Sequence, residues 1–172
     1  EESRKLIGIQ WVKGKQEREA VYERWSSYSR VTVRETEDDR AYPGFWGMSP
    51  VFERKFPRET TRIRQLLLLI DSTAGTPLTH FEGDPGSIDF LKYDLVNLAH
   101  QLRTDADVAI IGVGGGRDVL SAIAFDQRSV HGIEINKDIV RALNGPFREY
   151  TGNLENRPGV EIVNDEARSW LA

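Results

Sequence analysis

Ile110-Ile111-Gly112-Val113-Gly114-Gly115-Gly116-Arg117-Asp118 reads as an apolar strand running into a glycine turn and then into a helix. Glycines at such a turn permit positive φ and let a ligand approach the backbone without meeting a Cβ. The free N–H groups of the following helix then face that ligand. The spacing discriminates between ligands. A dinucleotide fingerprint is G-x-G-x-x-G, and its third glycine would fall on Arg117. The pattern present is G-x-G-x-G, which disfavours a pyrophosphate cofactor and a nicotinamide oxidoreductase. It suits S-adenosylmethionine or a relative, whose amino-acid tail and ribose lie over the turn.

Two carboxylates extend the pattern. Glu134 stands at the carboxyl end of the next strand, where it can accept both ribose hydroxyls of an adenosyl ligand. Asp165 closes the third strand, where it can accept from the adenine amino group. Ligands of open α/β sheets bind at the carboxyl ends of strands, and all three elements fall there in order. The competing readings are a tight turn with no ligand, an exposed strand-end carboxylate, and a helix N-cap at Asp165.

The positioning elements follow from periodicity. From Asp107 the pattern predicts strand, helix, strand, helix, strand: Val108–Val113, Asp118–Phe125, Val130–Ile135, a helix capped by Asn136 and broken near Gly145-Pro146, and Val160–Val163. Val108–Val113 is apolar on both faces, as a buried parallel strand requires. Ile88, Leu91, Leu95, Leu98 and Leu102 recur at steps of three and four, which predicts one helix over 87–103 with Ser87 as N-cap. The expected organisation is a β-rich region over 1–86 and the first half of a Rossmann-like nucleoside-binding domain over 87–172. Within the former, Ser29–Val33 reads as a strand and Glu35–Asp39 as a turn or loop. Leu66–Ile70 is a second strand, Gly75-Thr76-Pro77 breaks it, and Leu78–Phe81 returns as a hairpin arm.

Composition narrows the function. The chain has 172 residues, 23 Lys+Arg against 27 Asp+Glu, a net charge of −4 and no cysteine. That balance gives no electrostatic reason to expect nucleic acid. A cysteine-free chain excludes a disulfide scaffold and thiolate metal sites, and fits a reducing, cytoplasmic setting. Leu66–Ile70 is the longest aliphatic run, far short of the roughly 20 residues that span a bilayer. No secretory or transit segment is read at the start. His80, His100 and His131 share no metal-ligand spacing, so no metal is expected. The basic run Arg54, Lys55, Arg58, Arg62 and Arg64 is interleaved with Glu53 and Glu59 and reads as a solvated face. Trp11, Trp25, Trp46 and Trp170 follow no period of a stacking platform. No nucleophilic triad can be assembled, and no catalytic residue is assigned. The chain opens at Glu1 and stops at Ala172 just after a helix-like start, as a cut piece would.

The chain resembles the spermidine synthase family, in the class I S-adenosylmethionine-dependent methyltransferase fold. In particular it resembles the spermidine-synthase-like domains of bacterial membrane proteins. The resemblance runs from about residue 22 onward. It is carried by Trp25–Val31, Leu69-Ile70-Asp71, Tyr93-Asp94, Ile111–Asp118, Gly132–Asn136 and Asn164–Leu171. It implies a β-structured region beside a Rossmann-like sheet, decarboxylated S-adenosylmethionine as aminopropyl donor and a polyamine as acceptor. Gly112, Gly114, Gly115 and Gly116 would line the donor's tail, Glu134 would hold the ribose and Asp165 the adenine. Asp71 and Tyr93 fall near ligand-contacting positions of that family. Two departures stand out. The family commonly carries an Asp inside the turn where this chain has Gly115, and its catalytic Asp follows a fourth strand, beyond Ala172. The two functions implied are aminopropyl or methyl transfer, and non-catalytic nucleoside or polyamine sensing within a larger membrane-associated protein. A parallel sheet lacking its second half leaves Val108–Val113 as an apolar edge, which the N-terminal region, a second copy or further chain is expected to cover.

Overall fold

The computed structural model describes residues 9, 11–44 and 46–172, with the backbone alone over 37–39. The opening of the expected β-rich region, residues 1–8 and 10, lies outside the described residues.

The N-terminal part is β-rich. A two-stranded ribbon, β1 (Trp11–Val12) and β2 (Lys15–Gln16), precedes a four-stranded antiparallel sheet. Its strands β3 (Tyr22–Trp25), β4 (Arg30–Ala41), β5 (Ile63–Ile70) and β6 (Ala74–Thr79) pair in sequence order. β4 runs through Glu35–Asp39, where the sequence pattern predicts a turn or loop. The pairing register there steps from Glu35 opposite Leu66 to Arg40 opposite Arg64, so residues 36–39 face Gln65 alone. The surplus residues bulge out of a strand that otherwise continues.

The hairpin turn also falls elsewhere. Asp71 and Ser72 take left-handed φ of 48° and 65°, and Gly75, Thr76 and Pro77 lie inside β6. Asp tolerates that conformation at modest cost. Pro77 is accepted because β6 is the edge of its sheet, where a missing N–H breaks no ladder.

A short helix α1 (Phe52–Lys55) lies between the strands, and the expected single helix over 87–103 is three pieces. A 3-10 helix spans Pro85–Tyr93, a 3-10 turn spans Leu95–Asn97, and α2 covers Leu98–Leu102. Asp84, not Ser87, caps the first piece by accepting from the Gly86 N–H. The break is Asp94, extended at φ −85° and ψ 128° because its carboxylate is drawn inward. Ile88 and Leu91 are buried as the periodicity requires, whereas Leu95, Leu98 and Leu102 are exposed.

The remainder is β7 (Asp107–Ile111), α3 (Arg117–Ala124), β8 (Ser129–Ile133), α4 (Lys137–Asn144), β9 (Val160–Val163) and α5 (Ala167–Leu171). β7, β8 and β9 form a three-stranded parallel sheet in that order, a partial Rossmann-like fold. Each helix after a strand starts within a residue or two of its expected position, and Asn136 caps α4 as expected. β7 departs from expectation. Ile110 is buried but Ile111 is 67% exposed: Asp107, Ala109 and Ile111 share the face opposite Val108 and Ile110, and that face lies open at this strand. β7 is also the sheet edge, and no strand among the described residues pairs with its other side. The N-terminal sheet therefore does not cover it.

One core joins the two sheets. Val31, Val33, Leu68 and Leu78 of the antiparallel sheet pack in a continuous cluster with Ile88, Leu91, Ile110, Leu120, Ile139 and Leu143. Glu17 staples the ribbon side: its buried carboxylate takes hydrogen bonds from Arg30 and Ser72 and an ion pair from Arg34. Burial alone would push that carboxyl up, but Ser72, Arg30 and Arg34 together hold it down at about 2. No helix among the described residues is long and apolar enough to cross a membrane.

Candidate functional site

The glycine turn is shaped by the chain on one side and open on the other. Gly112, Gly114 and Gly116 have φ of 84°, 53° and 82°, a conformation that side chains with a Cβ resist. A Cβ on Gly115 would sit 2.5 Å from the Pro77 carbonyl oxygen of β6, and one on Gly116 would meet Leu154 at 2.8 Å. The fixed Pro77 backbone explains Gly115, while at Gly116 the neighbour is a movable side-chain tip and the left-handed φ is what calls for glycine. Gly112 differs, with no atom within 4 Å of where its Cβ would lie.

The end of β8 closes onto this turn. The Gly112 N–H donates to the Ile133 carbonyl at 2.8 Å, and the Gly114 N–H donates to Glu134 Oε2 at 3.1 Å. Glu134 Oε1 accepts the Asn136 N–H at 2.9 Å, and the residue is 5% exposed. Burial of a carboxylate is costly unless it is hydrogen-bonded, and here two backbone donors supply that. A carboxylate offers about four acceptor positions, so two remain for further donors. A 1,2-diol is a chemical match for a pair of free acceptors on one carboxylate.

β9 joins through a residue the motif reading passed over. Asn164 Nδ2 donates to the Glu134 carbonyl at 2.7 Å and to the Ile135 carbonyl at 3.1 Å, tying the β9 end to the backbone that carries the carboxylate. Asp165 follows it, exposed, with Oδ1 accepting the Glu166 N–H at 2.7 Å. It does not cap α5; Glu166 does, accepting from Arg168 and Ser169. The structure thus brings the glycine turn and Glu134 into direct contact and leaves Asp165 attached through its neighbour.

Arg117 has a structural task. Its guanidinium pairs with Asp94 at 2.6 Å, with side chains 4% and 0% exposed, and donates to the Gly44 carbonyl at 2.8 Å. Asp94 also accepts the Trp46 and Gly47 N–H groups at 3.1 and 3.0 Å. This pair moors the 44–47 loop beside the glycine turn, where Gly44, Trp46, Pro77 and Arg117 line a pocket of about 170 Å³. A second cavity, of about 480 Å³, runs from Trp46 along β7 to Ile111, His100 and Asp118. Burial pushes the Asp118 carboxyl up and the His100 imidazole down. Only the spatial meeting of 94 with 117 reveals the mooring; no spacing in sequence carries it.

The two loosely placed residues do not join the turn. Asp71 accepts the Arg30 N–H at 2.9 Å, and Tyr93 packs against Phe52 and Phe56 with ring centroids 5.8 and 5.4 Å away. Among the described residues no group of three His, Asp or Glu could hold a metal ion.

No protein-family model matches the chain, and no curated protein matches it in sequence. Its fold is similar to a solved structure of spermidine synthase in complex with the transition-state analogue AdoDATO, with a TM-score of 0.52. The match covers 88% of this chain and 42% of that one, at 15% identity. The chain has a spermidine-synthase-like fold, a Rossmann-like sheet preceded by a β-rich region, and spans less than half the length of that synthase.

Proposed function

We propose that this chain carries the nucleoside-binding half of a spermidine-synthase-like transferase. Its donor is S-adenosylmethionine or the decarboxylated form, and it passes an aminopropyl or methyl group to a small amine such as a polyamine. The observation that carries this reading is the buried Glu134 carboxylate, fixed by the Gly114 and Asn136 N–H groups beside the open backbone of Gly112. Glu134 accepts the ribose hydroxyls with its remaining acceptor positions. Gly112, Gly114, Gly115 and Gly116 carry the donor's tail, and Asp165 accepts from the adenine amino group. The donor supplies the electrophilic carbon next to its sulfonium; the residues named here bind and orient it. The setting is the cytoplasm, and the partners are small molecules together with a second copy or further chain along β7.

Calorimetry with S-adenosylmethionine, its decarboxylated form, methylthioadenosine and NAD tests the site. The adenosyl ligands are expected to bind, and NAD is not. A hydrogen bond to a charged group is worth about 1.5–3 kcal/mol, so Glu134→Gln is expected to weaken methylthioadenosine roughly tenfold or more. Unchanged affinity in that variant would remove the ribose assignment.

The second reading is a nucleoside- or polyamine-sensing domain without turnover. It is favoured by the Gly115 packing: the Pro77 carbonyl leaves no room for the acidic side chain that the synthase family commonly carries in this turn. Release of methylthioadenosine or S-adenosylhomocysteine by the full-length protein separates the two readings. Binding without release supports the sensor.

A further inference from the structure

Glu134 is tied to the N-terminal region through Asn136 and Ser29. Glu134 Oε1 is held by the Asn136 N–H, and the Asn136 side chain is itself fixed at both ends. Its Oδ1 accepts the Asp138 N–H at 3.1 Å, capping α4, and its Nδ2 donates to Ser29 Oγ at 2.9 Å. Asn136 is 6% exposed, and this contact links positions 107 residues apart in the chain.

Ser29 belongs to a stiff turn. The Ser26 N–H donates to the Ser29 carbonyl at 3.0 Å, and the Ser29 N–H donates back to Ser26 Oγ at 3.4 Å. The next residue, Arg30, exchanges backbone bonds with Asp71: its N–H donates to Asp71 Oδ1, and its carbonyl accepts the Asp71 N–H, both at 2.9 Å. The same hairpin presses on α4 and the segment after it. The Tyr22 ring meets Phe147 edge-on at 5.6 Å, and Arg24 lies 3.9 Å from Asp138. Hydrogen bonds join Asp71 to Arg30, Ser29 to Asn136, Asn136 to Glu134 and Glu134 to Gly114, and the Ser29–Arg30 peptide bond completes a line from the β5–β6 turn to the glycine turn.

We propose that Ser29 is a positioning residue for ribose recognition, holding Asn136 so that its N–H keeps the Glu134 carboxylate aimed at the two hydroxyls. This rests on the nucleoside-binding reading above. The β3–β4 turn is then a working part of the site through its hold on Asn136.

The test is calorimetry on the whole chain with adenosine, 2′-deoxyadenosine and methylthioadenosine, for wild type, Ser29→Ala and Ser29→Thr. One neutral hydrogen bond is worth about 0.5–1.5 kcal/mol, so Ser29→Ala is expected to raise the methylthioadenosine Kd roughly two- to tenfold. The preference for adenosine over its 2′-deoxy analogue should fall by a similar factor, which general loosening of the fold would not produce. Ser29→Thr, which keeps the hydroxyl, is expected to restore both. Asn136→Ser keeps a cap for α4 but does not reach Ser29, and serves the same comparison should Ser29→Ala fail to fold. Wild-type binding with an unchanged ribose preference in the variants overturns the positioning role and leaves the proposed function standing. Failure of wild type to bind any of the three nucleosides overturns both.

Discussion

The glycines of one short motif do different work. Gly115 is small because the Pro77 backbone of β6 presses on it and Gly116 because its φ is left-handed, whereas Gly112 shares that left-handed φ with nothing packed beside it. A methyl at Gly115 must push a backbone carbonyl, which cannot rotate aside, and overpacking of that kind costs about 1–3 kcal/mol. Gly115→Ala is therefore expected to lower the thermal midpoint by several degrees, with adenosyl affinity lost only as the fold loosens. Gly112→Ala meets no packed neighbour and bears only the positive φ, about 1–2 kcal/mol. Its midpoint should fall less, and its methylthioadenosine affinity should fall more. Thermal unfolding and calorimetry on the two variants check this; equal behaviour would mean that Gly112 is a turn residue and nothing else.

At the scale of elements, the broken helix and the mooring of the 44–47 loop have one cause. Asp94 gives up helical geometry so that its carboxylate can pair with Arg117 and take N–H donors from Trp46 and Gly47. Removing one partner of a buried pair strands the other, at about 3–5 kcal/mol. Arg117→Met is expected to show a loss of that order in urea unfolding, and Asp94→Asn in the Arg117→Met background should return part of it. A cost under about 1 kcal/mol, the range of exposed pairs, would contradict the mooring role. Periodicity could not foresee the break, because the leucine spacing over 88–102 is helical throughout. The interruption comes from an ion pair closed across the fold.

For the whole molecule the open side of β7 matters most. β7 ends its sheet with no strand among the described residues on its other side, which leaves a template for pairing, and its face carries an apolar Ile111 that is 67% exposed. The 172-residue chain on its own is expected to self-associate in a concentration-dependent way in light scattering, and Ile111→Lys should shift it toward monomer. A wild-type chain that stays monomeric at high concentration would show that this edge needs no partner. Inside the molecule, a single core spans the antiparallel and parallel sheets, so the N-terminal region is part of the scaffold on which the glycine turn and Glu134 stand.

The residues from 107 onward made the α/β half legible. The positions of the parallel strands, glycine turns and capped helices are local features, and short-range periodicity and capping chemistry fix them within a residue or two; that β7 lies open on one face was not legible. The position of Glu134 at a strand end, facing the turn, follows from that same local order. The β-rich character of the first part was legible too, but its turns were not. Gly75-Thr76-Pro77 looks like a break, yet an edge strand tolerates it, and Asp71 and Ser72 turn instead. Tertiary structure alone decided the contacts that close over long separations: Arg117 with Asp94, Gly115 with Pro77, Asn164 with the backbone of Glu134, and Ser29 with Asn136. A side chain's local preference says which partners it can take; which one it meets is set by how the two sheets share their core.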